Sequence, residues 1–112
     1  MIEKIIMDHL ASKLDIPVFG EVPENPPVSY VVVIRSGGGG REDFLHNPLI
    51  LCRSYASTLA ETAKLNDRVV AAMDSLTECD EVSGCYLTGS YNFTDQETKQ
   101  YRYQAVYNIY HY

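Results

Sequence analysis

From Gln100 to Tyr112 the side chains alternate without a break. Tyr101, Tyr103, Ala105, Tyr107 and Ile109 fall on one side, and Arg102, Gln104, Val106, Asn108 and Tyr110 on the other. A period of two is the signature of a strand, and a helix of this length would scatter those residues around its whole circumference. One face is apolar enough to be buried and the other is mixed, so something must cover the first. The same reading makes Val28 to Arg35 a strand buried on both faces, since Tyr30, Val31, Val32, Val33 and Ile34 are continuous and too few for an ordinary helix. Leu49 to Ala56 alternates again, and Val82 to Phe93 pairs with the last strand across a Thr94 to Lys99 loop.

The covering elements are two amphipathic helices. Ile2, Ile5, Ile6, Leu10 and Leu14 recur at spacings of three and four, and the helix must end by Asp15 to Pro17 because a proline disfavours helical geometry in the residue before it. Thr58 followed by Glu61 has capping-box form and opens a second helix to about Leu76. Its predicted apolar arc holds Leu59, Ala63, Val69, Val70, Met73 and Leu76, widened by Leu65 and Ala72 and also containing Asn66. Between the first helix and the first strand, Pro17, Pro23, Pro26, Pro27 and Gly20 predict an extended crossing segment, anchored by Val18, Phe19 and Val22. The expected fold is one α+β domain over residues 1–112, in the order α-β-β-α-β-β. Two helices pack on one face of a mostly antiparallel four-stranded sheet.

Gly37, Gly38, Gly39 and Gly40 interrupt the first hairpin and read as a long mobile tip. They do not form a phosphate loop, which needs a lysine, then serine or threonine, then a helix. Here Arg41, Glu42 and Asp43 follow, and then another strand. His9, His46 and His111 are far apart and none has a second His or a Cys three to five positions away, and the acidic turn Glu78, Asp80, Glu81 lacks the ligand spacing of a calcium loop. No glycine-flanked serine elbow is present, and nothing in the spacing joins Cys52 or Cys85 to a histidine. Cys52, Cys79 and Cys85 are expected to be free thiols, being odd in number and without close pairing. Catalytic residues, cofactors and metals are therefore not expected. With 15 acidic against 9 basic residues the net charge is −6, which argues against tight nucleic-acid binding. No apolar stretch is long enough to span a membrane, and no basic segment leads into an apolar signal core, so the expectation is a soluble protein kept in a cytoplasm.

Nine tyrosines and no tryptophan, with Tyr101, Tyr103, Tyr107, Tyr110 and Tyr112 crowded into the last strand, suit a sheet surface half covered by another molecule. The helix Ile2 to Leu14, the passage Ile16-Pro17-Val18-Phe19-Gly20-Glu21-Val22-Pro23, the Val31-Val32-Val33 strand before glycines, and the closing Tyr91-Asn92-Phe93-Thr94-Asp95 to Tyr112 carry a wider likeness. Together they resemble the small tail-terminator or tail-completion proteins of long-tailed bacteriophages and prophages, over essentially the whole chain.

The resemblance implies a structural virion protein of the tail or neck, present in the host cytoplasm during assembly. It would form a homo-oligomeric, hexameric ring on the tail tube, end tube growth and meet the head-connector proteins. A ring needs two different mutually fitting patches on each subunit. Arg35, Gly37, Gly38, Gly39, Gly40 and Arg41, as an arm reaching to Asp43, are the expected first patch, and Tyr110 and Tyr112 of the last strand the second. A head-tail stopper or neck protein fits the same likeness. A soluble protein-binding adaptor or a small enzyme are the competing classes.

Overall fold

The computed structural model describes residues 1–42 and 45–112; the side chains of 39–42 lie outside that description. The first helix, α1, spans Ile2–Leu14 and buries Ile2, Ile6, Leu10 and Leu14, one residue per turn along a single stripe. It stops at Asp15, whose φ of 56° is left-handed, ahead of Pro17 as the sequence predicts. The strands are β1 (Val18–Phe19), β2 (Tyr30–Glu42), β3 (Leu45–Tyr55), β4 (Val82–Asn92) and β5 (Arg102–His111), with helix α2 (Leu59–Met73) between β3 and β4.

The fold is α+β, and it differs from the sequence expectation in strand count. The sheet has five strands in the order β1-β2-β3-β5-β4, and it is mixed because β1 runs parallel to β2. The additional strand lies in the proline-rich crossing segment. Pro17 offers a carbonyl but no N–H, and that carbonyl accepts the Val31 N–H at 3.0 Å, which starts the pairing. Val18 and Phe19 pack as expected, whereas Val22 is 49% exposed and anchors nothing.

The glycine segment is also corrected. Gly37 to Gly40 belong to β2 instead of forming a tip, and β3 begins at Leu45, four residues before the predicted Leu49. Gly38 pairs with Pro48, and the register shifts on both sides of it. Gly37 and Gly38 take φ of 78° and 120°, which side-chain-bearing residues rarely adopt. A Cβ on Gly38 would also meet the Pro48 backbone at 2.7 Å and the Leu49 nitrogen. The glycines therefore supply bulge geometry inside a paired arm.

One sheet face is covered by both helices. Val31, Val33, Ile50, Cys52, Ala105, Tyr107 and Ile109 meet the α1 stripe and Leu65, Val69, Ala72, Met73 and Leu76 in a single core. Thr58 caps α2 by accepting the Glu61 N–H at 3.1 Å. Helix α2 ends at Met73, and Leu76 is buried from a short 3-10 turn, Leu76–Glu78. The buried stripe of α2 contains Thr62, Leu65, Asn66, Val69, Ala72 and Met73, while Leu59 is 42% exposed. The buried stripe is rotated from the predicted arc: at 100° per residue Leu59, Ala63 and Val70 lie along one side of it, exposed or half-buried, and Thr62 lies within it.

On the helix-free face a second, smaller core closes over β2. Tyr30 and Tyr55 stack with centroids 4.5 Å apart, Phe19 meets Tyr30 edge-on at 6.1 Å, and Val32 lies beneath them, 1% exposed. Val31 to Val33 are therefore buried on both faces, as the unbroken apolar run predicts. No helix is long and apolar enough to cross a membrane among the described residues.

Candidate association surface

The sequence-selected residues divide between the two sides of the sheet. Arg35, Gly37 and Gly38 are exposed on the β2 arm, and Gly39, Gly40 and Arg41 continue it as strand backbone. The arm's remaining residue, Asp43, lies outside the described residues. Tyr110 is half-buried, because β5 is not at an edge: it lies between β3 and β4, bonded to both. Its ring meets Tyr86 at 5.9 Å in an edge-on pair. Both rings lie over Gly84, where an added Cβ would be 2.8 Å from Tyr86 and 3.3 Å from Tyr110. Tyr112, just past the end of β5, is 66% exposed. The last strand is therefore interior to the sheet, and its tyrosines mainly pack inside the subunit.

The residues that sequence reasoning missed belong to β4. This strand has a neighbour on one side only, so its far edge presents unpaired backbone N–H and C=O groups. Its eleven residues include no charge and no proline, so register shifts between Val82 and Gly84 and between Leu87 and Gly89 are what interrupts this edge. Tyr86, Leu87 and Tyr91 stand out from it, 59%, 45% and 44% exposed. The signal was present as an uncharged run, but strand order was needed to see it as an edge. Among the described residues the opposite edge is open too, because β1 covers β2 only at Val31 and Val32.

The groups weighed for chemistry are arranged structurally. Cys52 is fully buried, and burial pushes its thiol up to about 12. Cys85 is pushed up to about 11, by burial first and then by Asp74, and its sulfur lies 3.6 Å from the Met73 carbonyl. Neither reaches a histidine. Instead Cys79 lies 4.0 Å from Nδ1 of His9, whose Nε2 is 2.9 Å from the Ala72 carbonyl and 3.0 Å from the Ser75 hydroxyl. His9 thereby ties α1 to the end of α2. Among the described residues no cluster of three or more metal-ligating side chains occurs. Burial gives a direct expectation: Cys52 does not react with a disulfide reagent in the native protein and reacts only on unfolding, whereas the partly exposed Cys79 is reached in the native state. Stopped-flow thiol titration of native and urea-unfolded protein measures this, and rapid modification of Cys52 in the native state would contradict it.

At the far end of the sheet His46 stacks on His111, centroids 5.1 Å apart, where β3 meets β5. Burial is the main cause holding His111 below its ordinary value of 6.5, with His46, Arg35 and the amino terminus adding to it and a contact to the Tyr112 carbonyl opposing it. The unfolded chain then binds more protons just below pH 6.5 than the folded one, so stability is complete above that pH and falls as the pH drops through the depressed folded value. Thermal midpoints measured between roughly pH 5 and pH 7.5 should show this slope, and His111→Asn should flatten it. An unchanged slope in that variant would remove His111 as its source.

No protein-family model matches the chain, and no curated protein matches it.

Proposed function

We propose that this chain is a structural virion protein that self-associates head to tail into a ring, capping the tail tube and joining it to the head connector. The observation that carries the reading is the pair of different open edges on opposite sides of one sheet, the arm of β2 and the whole of β4. A heterologous ring needs two such unlike patches.

Strand direction supports the same arrangement. From β2 through β3 and β5 to β4 every pairing is antiparallel, so β2 and β4 run in opposite directions. A copy rotated about an axis along the strands sets its β2 beside the first copy's β4 and continues the alternation unbroken. The net charge of −6 suits a conduit that DNA must traverse without sticking. The whole-chain resemblance to tail-terminator proteins supplies the biological setting.

The test is substitution at each edge. Leu87→Lys places a guard charge on the β4 edge, and Gly38→Ala disturbs the arm. Both variants should keep the wild-type circular dichroism while losing higher oligomers in light scattering. Wild-type oligomer mass retained in both variants would refute the edge-to-edge ring.

A further inference from the structure

We infer that Arg53, Phe93 and Arg102, on the helix-free face of the sheet, form a preorganised receptor for the carboxylates of an acidic segment of a partner polypeptide. The site stands whether or not a ring forms, because its residues come from one subunit. Both guanidinium groups lie against the same aromatic ring, Arg53 at 5.1 Å and Arg102 at 4.6 Å from the Phe93 centroid. Three strands bring them together: Arg53 from β3, Arg102 from β5, and Phe93 immediately after β4.

Each arginine is fixed through its inner nitrogen. Arg53 Nε donates to Gln104 Oε1 at 2.7 Å, and Arg102 Nε donates to the Phe93 carbonyl at 2.7 Å. Gln104, only 5% exposed, donates its own Nε2 to the Tyr91 hydroxyl at 2.7 Å. That hydroxyl therefore keeps its proton for a further acceptor. The terminal guanidinium nitrogens make no hydrogen bond or ion pair among the described residues.

Neither Arg53 nor Arg102 has an ion-pair partner among the described residues. In a chain with 15 acidic residues, both ion pairs among the described residues use lysine, Lys4 with Asp8 and Lys64 with Glu61. Asp95 is close enough to feel Arg102, but its Oδ1 accepts the Glu97 and Thr98 N–H groups at 3.0 and 3.4 Å, which hold its carboxyl below the usual range. Two half-buried guanidiniums with their forks free and a hydroxyl proton to spare match planar carboxylates. The chain's net charge of −6 opposes any long polyanion, so the attraction is local to the two guanidiniums and suits a short segment.

The experiment uses the full chain at low ionic strength with a fluorescent peptide alternating glutamate and glycine, read by anisotropy against a glutamine-glycine peptide and an oligothymidylate of equal charge. Wild type should bind the glutamate peptide saturably and the other two more weakly. Arg53→Gln and Arg102→Gln should each weaken binding by about tenfold or more. Arg102→Lys keeps the charge and the fold but loses the fork, and should still weaken it by roughly threefold or more. Lys13→Gln, on the helical side, should change it by less than about twofold. Equal binding of the glutamine peptide, tighter binding of the oligonucleotide, or the same loss in Lys13→Gln as in Arg102→Lys would overturn the assignment.

Discussion

Val32→Asp should leave the chain unable to fold. Val32 sits in a β2 segment buried on both faces, beneath the Tyr30 and Tyr55 rings, and Arg53, its partner across β3, is held against Gln104 and the Phe93 ring. Desolvating a carboxylate beneath those rings costs more than about 4 kcal/mol, a large part of the roughly 5–15 kcal/mol that holds a domain together. Val28→Asp is the matched control, because Val28 is 73% exposed two residues before the strand. Circular dichroism and a two-dimensional amide spectrum should show an unfolded Val32 variant and a native Val28 variant. A folded Val32→Asp would mean that the small core over β2 does not exist as described.

Leu10→Ala should give the second large effect. Leu10 is fully buried at the centre of the α1 stripe, within the core that both helices share with the sheet. Truncation leaves a cavity between rigid elements, and such changes cost about 2–5 kcal/mol. Leu59→Ala removes the same atoms from a position at the exposed start of α2, and should cost less than about 1 kcal/mol. Urea titrations of the two variants separate the predicted arc of α2 from the observed one. Comparable losses would restore the predicted arc and contradict the burial described above.

Those pairs of residues also show which parts of the fold could be read in advance. Helix α1 was legible because apolar side chains repeat at spacings of three and four and Asp15 with Pro17 ends the run, although Ile5 of that stripe is only partly buried. Strand β5 was legible because alternation is a local property. Strand β1 was not, since a two-residue pairing inside a proline-rich segment is decided by where β2 happens to pass, a tertiary fact. The glycine segment misled for a related reason. Glycine favours irregular backbone on its own, whereas here Pro48 and Leu49 opposite Gly38 require its positive φ within a paired arm.

The candidate surfaces were less legible than the fold because they depend on order across the sheet. Alternation in β5 fits an edge strand and a central strand equally well, and only the placement of β5 between β3 and β4 moves the exposed edge to Tyr86, Leu87 and Tyr91. The arginine pair is further removed from any sequence signal. Arg53 and Arg102 meet at Phe93 only through the register that sets Arg53 opposite Gln104 and Tyr55 opposite Arg102.

The central claim is self-association into a closed ring, and the most direct test is the mass of the purified chain across a wide concentration range, by light scattering after size separation and by native mass spectrometry. The account predicts a discrete closed oligomer near a hexamer, lost on Leu87→Lys. A strict monomer at every concentration would contradict it.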